Sequence, residues 1–356
     1  MNTTSPDPAP GARPDTSAPL RVLVLGATGT AGRATVRALL RAGHEPICAV
    51  RPGTPSESAD GRRRAAGLPD GVELRFVDVT DPVSLRRHGF RGERFDALLS
   101  CLASRTGVPA DARAIDHRAH SLALAAAKEA GVRQMVLLSA ICVQRPRLAF
   151  QHAKLAFERE LIDSGLGYSI VRPTAFFKSL SGQVERVRRG QPFLIFGDGE
   201  LTACKPIADD DLGDYLVGCL SEPERRDRIL PIGGPGAAIT PREQGEALFA
   251  MTGRAPRFRS VPVRLFDLAG AALDPLGRLS PACARKAELA RIGRYYATES
   301  MLVIDPSTGR YDADATPSTG TETLLDHYRS LLDGSISTER GAHTLFRARR
   351  PRSGRG

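Results

Sequence analysis

The segment Gly26-Ala27-Thr28-Gly29-Thr30-Ala31-Gly32 constrains this chain more than any other. It follows a short apolar run, residues 21–26 (RVLVLG), and precedes a stretch with Val36, Leu39 and Leu40 on one helical face and Gly43 at its end. In a G-x-x-G-x-x-G turn between strand and helix each glycine has a task. Gly26 permits the tight turn, Gly29 lets backbone N–H groups approach a pyrophosphate, and Gly32 lets the helix pack close to the strand. The phosphates then lie at a helix N-terminus, where unpaired amides and the dipole favour anions. Thr28 and Thr30 belong to the same turn and count with it as cofactor-binding positions.

Strands and helices alternate after this turn. Strands are expected at 46–50, 73–79, 96–102, 134–139, 168–171 and 193–196. Helices are expected at 111–130, with Ile115, Ala119, Leu122 and Ala126 on one stripe, and at 149–164. Asp209–Asp211 would cap a helix running to Leu220, and Thr240-Pro241-Arg242-Glu243 reads as a capping box opening a helix to about Met251. This order implies an α/β chain with a Rossmann-like, doubly wound parallel sheet and a smaller C-terminal substrate lobe. The expected division is a disordered leader over 1–19, an NADP-binding domain over 20–180, a substrate lobe over 181–338 interleaved with it, and a basic disordered tail over 339–356.

The end of the second strand chooses the cofactor. An NAD enzyme places an acid about 20 residues past the turn, on the ribose 2′-OH. Here the place reads Cys48-Ala49-Val50-Arg51, so Arg51 is expected to meet a 2′-phosphate and the cofactor to be NADPH. Arg62, Arg63 and Arg64 read as solvated charge. Asp78-Val79 is a candidate for the adenine, with a turn cap as the bland reading, and Leu102-Ala103 would line the nicotinamide side.

The segment Phe150-Gln151-His152-Ala153-Lys154-Leu155-Ala156-Phe157 sets Phe150, Lys154, Phe157 and Leu161 on one helical face. A lysine among core-facing aromatics is unusual. Together with Ser139 at a strand end, this resembles the short-chain dehydrogenase/reductase superfamily, whose Ser is followed by Tyr-x-x-x-Lys. Lys154 matches the family lysine that holds the nicotinamide ribose and is the catalytic candidate; Ser139 is a cofactor candidate. Phe150 stands where that family has its proton-donating tyrosine, so the chain resembles the atypical NmrA-like and isoflavone-reductase-like branches, and reduction of a conjugated C=C is expected rather than of a carbonyl.

The runs LGATGTAGRATVRAL, LLSAICVQRP, LAFQHAKLAFE, YSIVRPTAFFKSLSGQVERV, FGDGELTACKPIADDDLGDYL and ARIGRYYATESMLV are similar to the 8-vinyl-reductase family of (bacterio)chlorophyll biosynthesis, over about residues 20–346. The resemblance implies NADPH-dependent reduction of the 8-vinyl group of 3,8-divinyl chlorophyllide a, or of the protochlorophyllide, to ethyl. Hydride would go to the terminal vinyl carbon, charge would spread into the macrocycle, and a proton would follow through water or from Tyr295 or Tyr296, which read more simply as packing residues. Arg172, Lys178 or Lys205 are candidates for the substrate propionate, each with a structural alternative; Phe150, Phe176, Phe177 and Leu180 are candidates for the macrocycle wall, with core packing as the equal alternative. His117 and His120 read as ordinary helix residues, and His152 as facing away from Lys154. Two other functions stay open: an NmrA-like NADP-sensing regulator, and a reductase of another conjugated alkene.

Charge adds little. Of the net +10, six charges are the arginines of residues 340–356, which hold no acid, so residues 1–339 carry only +4. Nucleic-acid binding is therefore not expected; the tail reads as a solvated end, with contact to a membrane as the lesser reading. Cys48, Cys101, Cys142, Cys204, Cys219 and Cys283 form no CxxC pair, so no metal site is expected and a reducing cytoplasm fits. No signal peptide is expected, nor a membrane span; the longest apolar stretch, around 265–276, is broken by Asp267 and Asp274.

Overall fold

The computed structural model describes residues 18–53, 61, 67–277 and 280–336. Most of the leader, Arg62–Arg64 and the arginine-rich tail lie outside the described residues.

Strands β1 (Arg21–Leu25), β2 (Glu45–Val50), β3 (Glu73–Phe76), β4 (Ala97–Ser100), β5 (Gln134–Leu138), β6 (Gly167–Pro173) and β8 (Arg228–Ile232) form one sheet in the order β3-β2-β1-β4-β5-β6-β8, every pair parallel. The central strands are almost wholly buried because helices cover both faces. On one face lie α1 (Thr30–Arg41) and α4 (Asp209–Gly218), packed around Val36, Leu39, Leu212 and Leu216. On the other lie the helical segment α2 (residues 109–129) and α3 (Ala149–Asp163), around Ala123, Ala127, Phe157 and Leu161.

The sheet switches direction between β1 and β4, which opens a crevice at the carboxyl ends of those strands. The C-terminal half both completes this body and builds over it. β7 (Phe193–Phe196) pairs with β9 (Phe258–Val261) in a small separate sheet. Helices α5 (Pro241–Met251) and α8 (Leu324–Leu332) close a third core around Val187, Leu248, Phe249 and Tyr328. Helices α6 (Arg264–Gly277) and α7 (Pro281–Thr298) form a hairpin beside it.

Several boundaries differ from expectation for identifiable reasons. β3 stops at Phe76 because Asp78 turns its carboxylate onto Thr80. Ala208, not an aspartate, caps α4; Asp209–Asp211 occupy its first turn, where the helix dipole favours acids. The capping box at Thr240 forms, with Thr240 Oγ1 accepting from Glu243 N and the Glu243 carboxylate accepting from Thr240 N. β8 carries Pro231, which obscures a strand pattern but is tolerated at a sheet edge. α2 is not a plain helix: Pro109–Asp111 opens it, Ala112–Ala119 is a π-helical stretch, and His120–Glu129 is α-helical.

Candidate functional site

The glycine turn sits where backbone must approach backbone. Gly26 has φ +72°, and a Cβ there would lie 2.6 Å from the carbonyl carbon of Cys101, on the neighbouring strand's extension. A Cβ on Gly32 would lie 2.1 Å from the Gly26 oxygen. Gly29 is different: its Cβ would meet only the Gly26 oxygen, at 3.3 Å. The outer side of the turn is therefore open while its inner side is closed, which is the shape of a cradle for a pyrophosphate. The N-cap of α1 makes no side-chain hydrogen bond, and no acid lies in its first turn. Those amides and the positive end of the dipole face the open side.

Lys178 reaches this turn: its Nζ donates to Thr30 Oγ1 at 3.0 Å. That places Lys178 at the cofactor cradle rather than at a substrate carboxylate. Asp209 is close by; burial pushes its carboxyl up to about 6, against the favourable field of Lys178. Arg51 is exposed just beyond β2, near enough to Asp78 to help hold that carboxylate below its usual range, after the larger effect of the bonds from Thr80. The Asp78 carboxylate closes its own turn, so the bland reading of that residue describes its contacts. Val79 and Leu102 pack against the second core, and Ala103 is exposed at the end of the β4 segment.

The second half of the site is a small recess lined by Asp116, His120, Leu137, Leu138, Ser139, Lys154 and Phe157. Lys154, only 8% exposed, points its ammonium at Asp116 Oδ1, 3.3 Å away. Asp116 is 1% exposed; its Oδ1 also accepts from Ser104 N, and its Oδ2 has no partner. A buried, unpaired carboxylate oxygen costs about 1–3 kcal/mol or more unless a donor meets it. The recess thus leaves one buried carboxylate oxygen without a donor beside the lysine.

His120 is fixed next to this pair. Its Nδ1 lies 2.9 Å from the Ile115 carbonyl, which can only accept, so Nδ1 carries the proton. Nε2 then accepts from the Ser100 hydroxyl at 2.9 Å, and Ser100 Oγ accepts from Leu102 N. Burial, then the Lys154 charge, pushes His120 down to about 4, so it is neutral near pH 7. Ser139 does not face a ligand alone: its hydroxyl donates to Glu158, which also pairs with Arg172. Arg172 is thereby neutralised inside the protein and is not an open site for a propionate. Lys205 donates to the Thr316 carbonyl and is structural.

Other expected positions divide. Phe150 packs against Cys142, Leu148, Ile292 and Tyr295, and its ring and Ile292 of α7 both lie 3.2 Å from a would-be Cβ on Gly107. Phe176 forms a single bridge to Ile207 beneath the loop after β6. Phe177 is 2% exposed against His327 in the third core, so it packs the lobe instead of lining a cleft. Tyr295 donates to the Cys142 carbonyl and packs with Leu148 and Ile292, and burial raises the phenols of Tyr295 and Tyr296 well above their usual range. Neither is poised to give up a proton. His117 pairs with Glu160 at the surface while His120 turns inward, so the two do not converge.

Asp116, Ser100 and Glu158 are the site residues that sequence reasoning did not single out, and His120, read as an ordinary helix residue, faces the recess. Asp116 and His120 stand four apart on one helical face with Ala123 and Ala127, but a carboxylate and an imidazole do not read as core residues.

A model of the NAD(P)H-binding family matches residues 26–223. Among curated relatives, the divinyl chlorophyllide a 8-vinyl-reductase, chloroplastic, of Oryza sativa subsp. indica is 47% identical over 331 residues, covering 91% of this chain and 82% of that protein. The protein of the same name from Arabidopsis thaliana is 44% identical over 333 residues, covering 90% and 79%. Among solved structures, leucoanthocyanidin reductase with NADPH from Vitis vinifera superposes with a TM-score of 0.64 at 14% identity, over 88% of this chain and 99% of that one. An NADPH-dependent quinone oxidoreductase with NADPH from Escherichia coli gives 0.62 at 18% identity, over 88% and 99%. At such identities these structures speak for the fold.

Proposed function

This chain belongs to the divinyl chlorophyllide a 8-vinyl-reductase family, and from that premise we propose that it reduces the 8-vinyl group of a 3,8-divinyl chlorophyllide to ethyl at the expense of NADPH. The observation that carries the reading is identity of 44–47% to four reductases of that name over about nine tenths of the chain. The cradle between Gly26 and Gly32, the cation at Arg51 and Lys178 over Thr30 fit a dinucleotide with an extra phosphate.

The residues divide the work as follows. NADPH supplies the hydride when bound. The turn and Lys178 would hold its phosphates, and Lys154 would take the nicotinamide ribose hydroxyls. Asp116 is the counter-ion that holds the Lys154 ammonium in place, 3.3 Å away inside the protein. The ammonium sets positive potential beside a macrocycle that gains negative charge as hydride reaches the vinyl terminus. Phe150, one helical turn before Lys154, leaves no phenol to protonate a carbonyl, which suits an alkene whose electron sink is its own ring system. A cofactor sensor would have no use for a buried charged lysine with its own counter-ion, so the pair favours the reductase. The six cysteines are free thiols, four of them buried.

The test is anaerobic incubation of the protein with NADPH and 3,8-divinyl chlorophyllide a, followed by chromatography and mass spectrometry. A product heavier by two hydrogens, absent without enzyme, is expected. NADPH binding with no product would move the reading to another conjugated alkene or to cofactor sensing.

A further inference from the structure

We propose that the α6–α7 hairpin is a docking face for an anionic lipid surface. The large hydrophobic side chains that stay exposed concentrate there: Leu265, Leu268, Leu276 and Leu289. Leu265 and Leu268 are 52% and 65% exposed. On α6, Leu265, Leu268, Ala272 and Leu276 follow the spacing of a single helical stripe, while Gly270, the one buried residue of that helix, lies on the opposite side. An amphipathic helix that presents leucines outward over its whole length has no use for water on that side.

Charge selects the occupant. The acids of the hairpin are spoken for: Asp267 pairs with Arg294, Asp274 with Arg291, and Glu288 with Arg291. Arg264, Arg285 and Lys286 are exposed and carry no ion pair among the described residues. The face is therefore leucine with surplus positive charge, the combination that lies flat in the headgroup region of an anionic bilayer. A second copy of the chain would set these same cations against each other across a two-fold axis, which opposes self-association. The hairpin is also anchored to the body: Ile292 of α7 packs with Phe150 and both approach Gly107. The face itself does not depend on what that site reduces.

The chain has no tryptophan, so one introduced indole reports one place. Leu268→Trp and, as a control on α3, Ile162→Trp are placed in the full-length protein. Both are titrated with vesicles of equal parts phosphatidylglycerol and phosphatidylcholine, and with phosphatidylcholine alone. Expected are a blue shift and quenching by brominated lipid at Leu268→Trp with the anionic vesicles, little with phosphatidylcholine, and neither at Ile162→Trp. Leu265→Asp with Leu268→Asp, which alters only exposed positions, should weaken vesicle binding at least tenfold, roughly the burial of one or two leucines. Vesicle binding through the arginine-rich tail alone would leave the Leu268→Trp emission unshifted and overturn the proposal. A concentration-dependent shift without vesicles would overturn it in favour of a second copy. A shift produced only by an acidic protein would overturn it in favour of that partner.

Discussion

The phosphate turn and the lysine recess sit at the same crevice and are built on opposite principles. The turn is a backbone device: Gly26 and Gly32 matter because no side chain fits, and its ligand-binding groups are amides that every residue owns. The recess is a side-chain device: Lys154, Asp116, His120 and Ser139 come from three separate segments and are held in pairs that desolvation makes obligatory. A backbone site is specified locally and fails when a neighbour intrudes. A buried ionic site is specified at long range and fails when one partner is removed from the other.

Breaking the turn should have the largest effect. Gly32→Val would set a branched carbon onto the Gly26 oxygen, so NADPH affinity should fall beyond detection and stability by about 3 kcal/mol or more. Calorimetric titration and thermal melts measure both, and near-normal binding would show that helix and turn are not packed as described.

The recess should break differently. Lys154→Met is expected to cut turnover about 100- to 1000-fold and, by stranding Asp116, to cost about 3–5 kcal/mol. Adding Asp116→Asn should restore much of the stability and none of the turnover. If the second change restores nothing, the two side chains are not the pair described.

His120 sharpens the contrast through pH. Its folded value near 4 lies below the usual 6.5, so its neutral form stabilises the protein above pH 6.5, and that contribution is lost as pH falls toward 4. The loss should reach about 3 kcal/mol. Urea unfolding at a series of pH values should show it, and His120→Gln should flatten that part of the profile; an unchanged slope would remove His120 as its source.

Two smaller effects complete the comparison. Arg51→Glu should reduce the preference for NADPH over NADH by about tenfold or more, because a charge-assisted phosphate contact becomes a repulsion. An unchanged ratio of kcat/KM values would assign the 2′-phosphate elsewhere. Tyr295→Phe should lose about 1 kcal/mol, the bond to the Cys142 carbonyl, with turnover unchanged. A large fall in turnover would reinstate the phenol as a proton donor.

The same contrast explains what could be read from the sequence. The turn was legible because its information is local: three glycines, a strand before and a helix after. Lys154 was legible because one helix presents it with Phe157 and Leu161. Asp116 was not, because a carboxylate does not read as a core residue even where it stands four residues from His120 on a buried helical face. Glu158 reads as a surface acid four residues from Lys154, yet Ser139 and Arg172 hold it inside from two other strands' ends. Arg172 and Phe177 each carried a structural alternative beside the ligand reading, and only partners across the fold decide for it, Glu158 for Arg172 and the third core for Phe177. In the fold, β1 to β6 announce themselves by alternation, while Pro231 conceals β8.

That last strand has a consequence for how the chain is made. β6 hydrogen-bonds β5 on one side, but its other edge is covered only by β8, which is synthesised after the intervening lobe segment. At roughly 5–20 residues per second, the edge carrying Ile170 and Val171 stands open for roughly 3–12 s on the ribosome. An uncovered strand of a parallel sheet is a template for the wrong partner. The vulnerable moment of this protein therefore falls during synthesis, between β6 and β8, and a nascent-chain chaperone would have its work there.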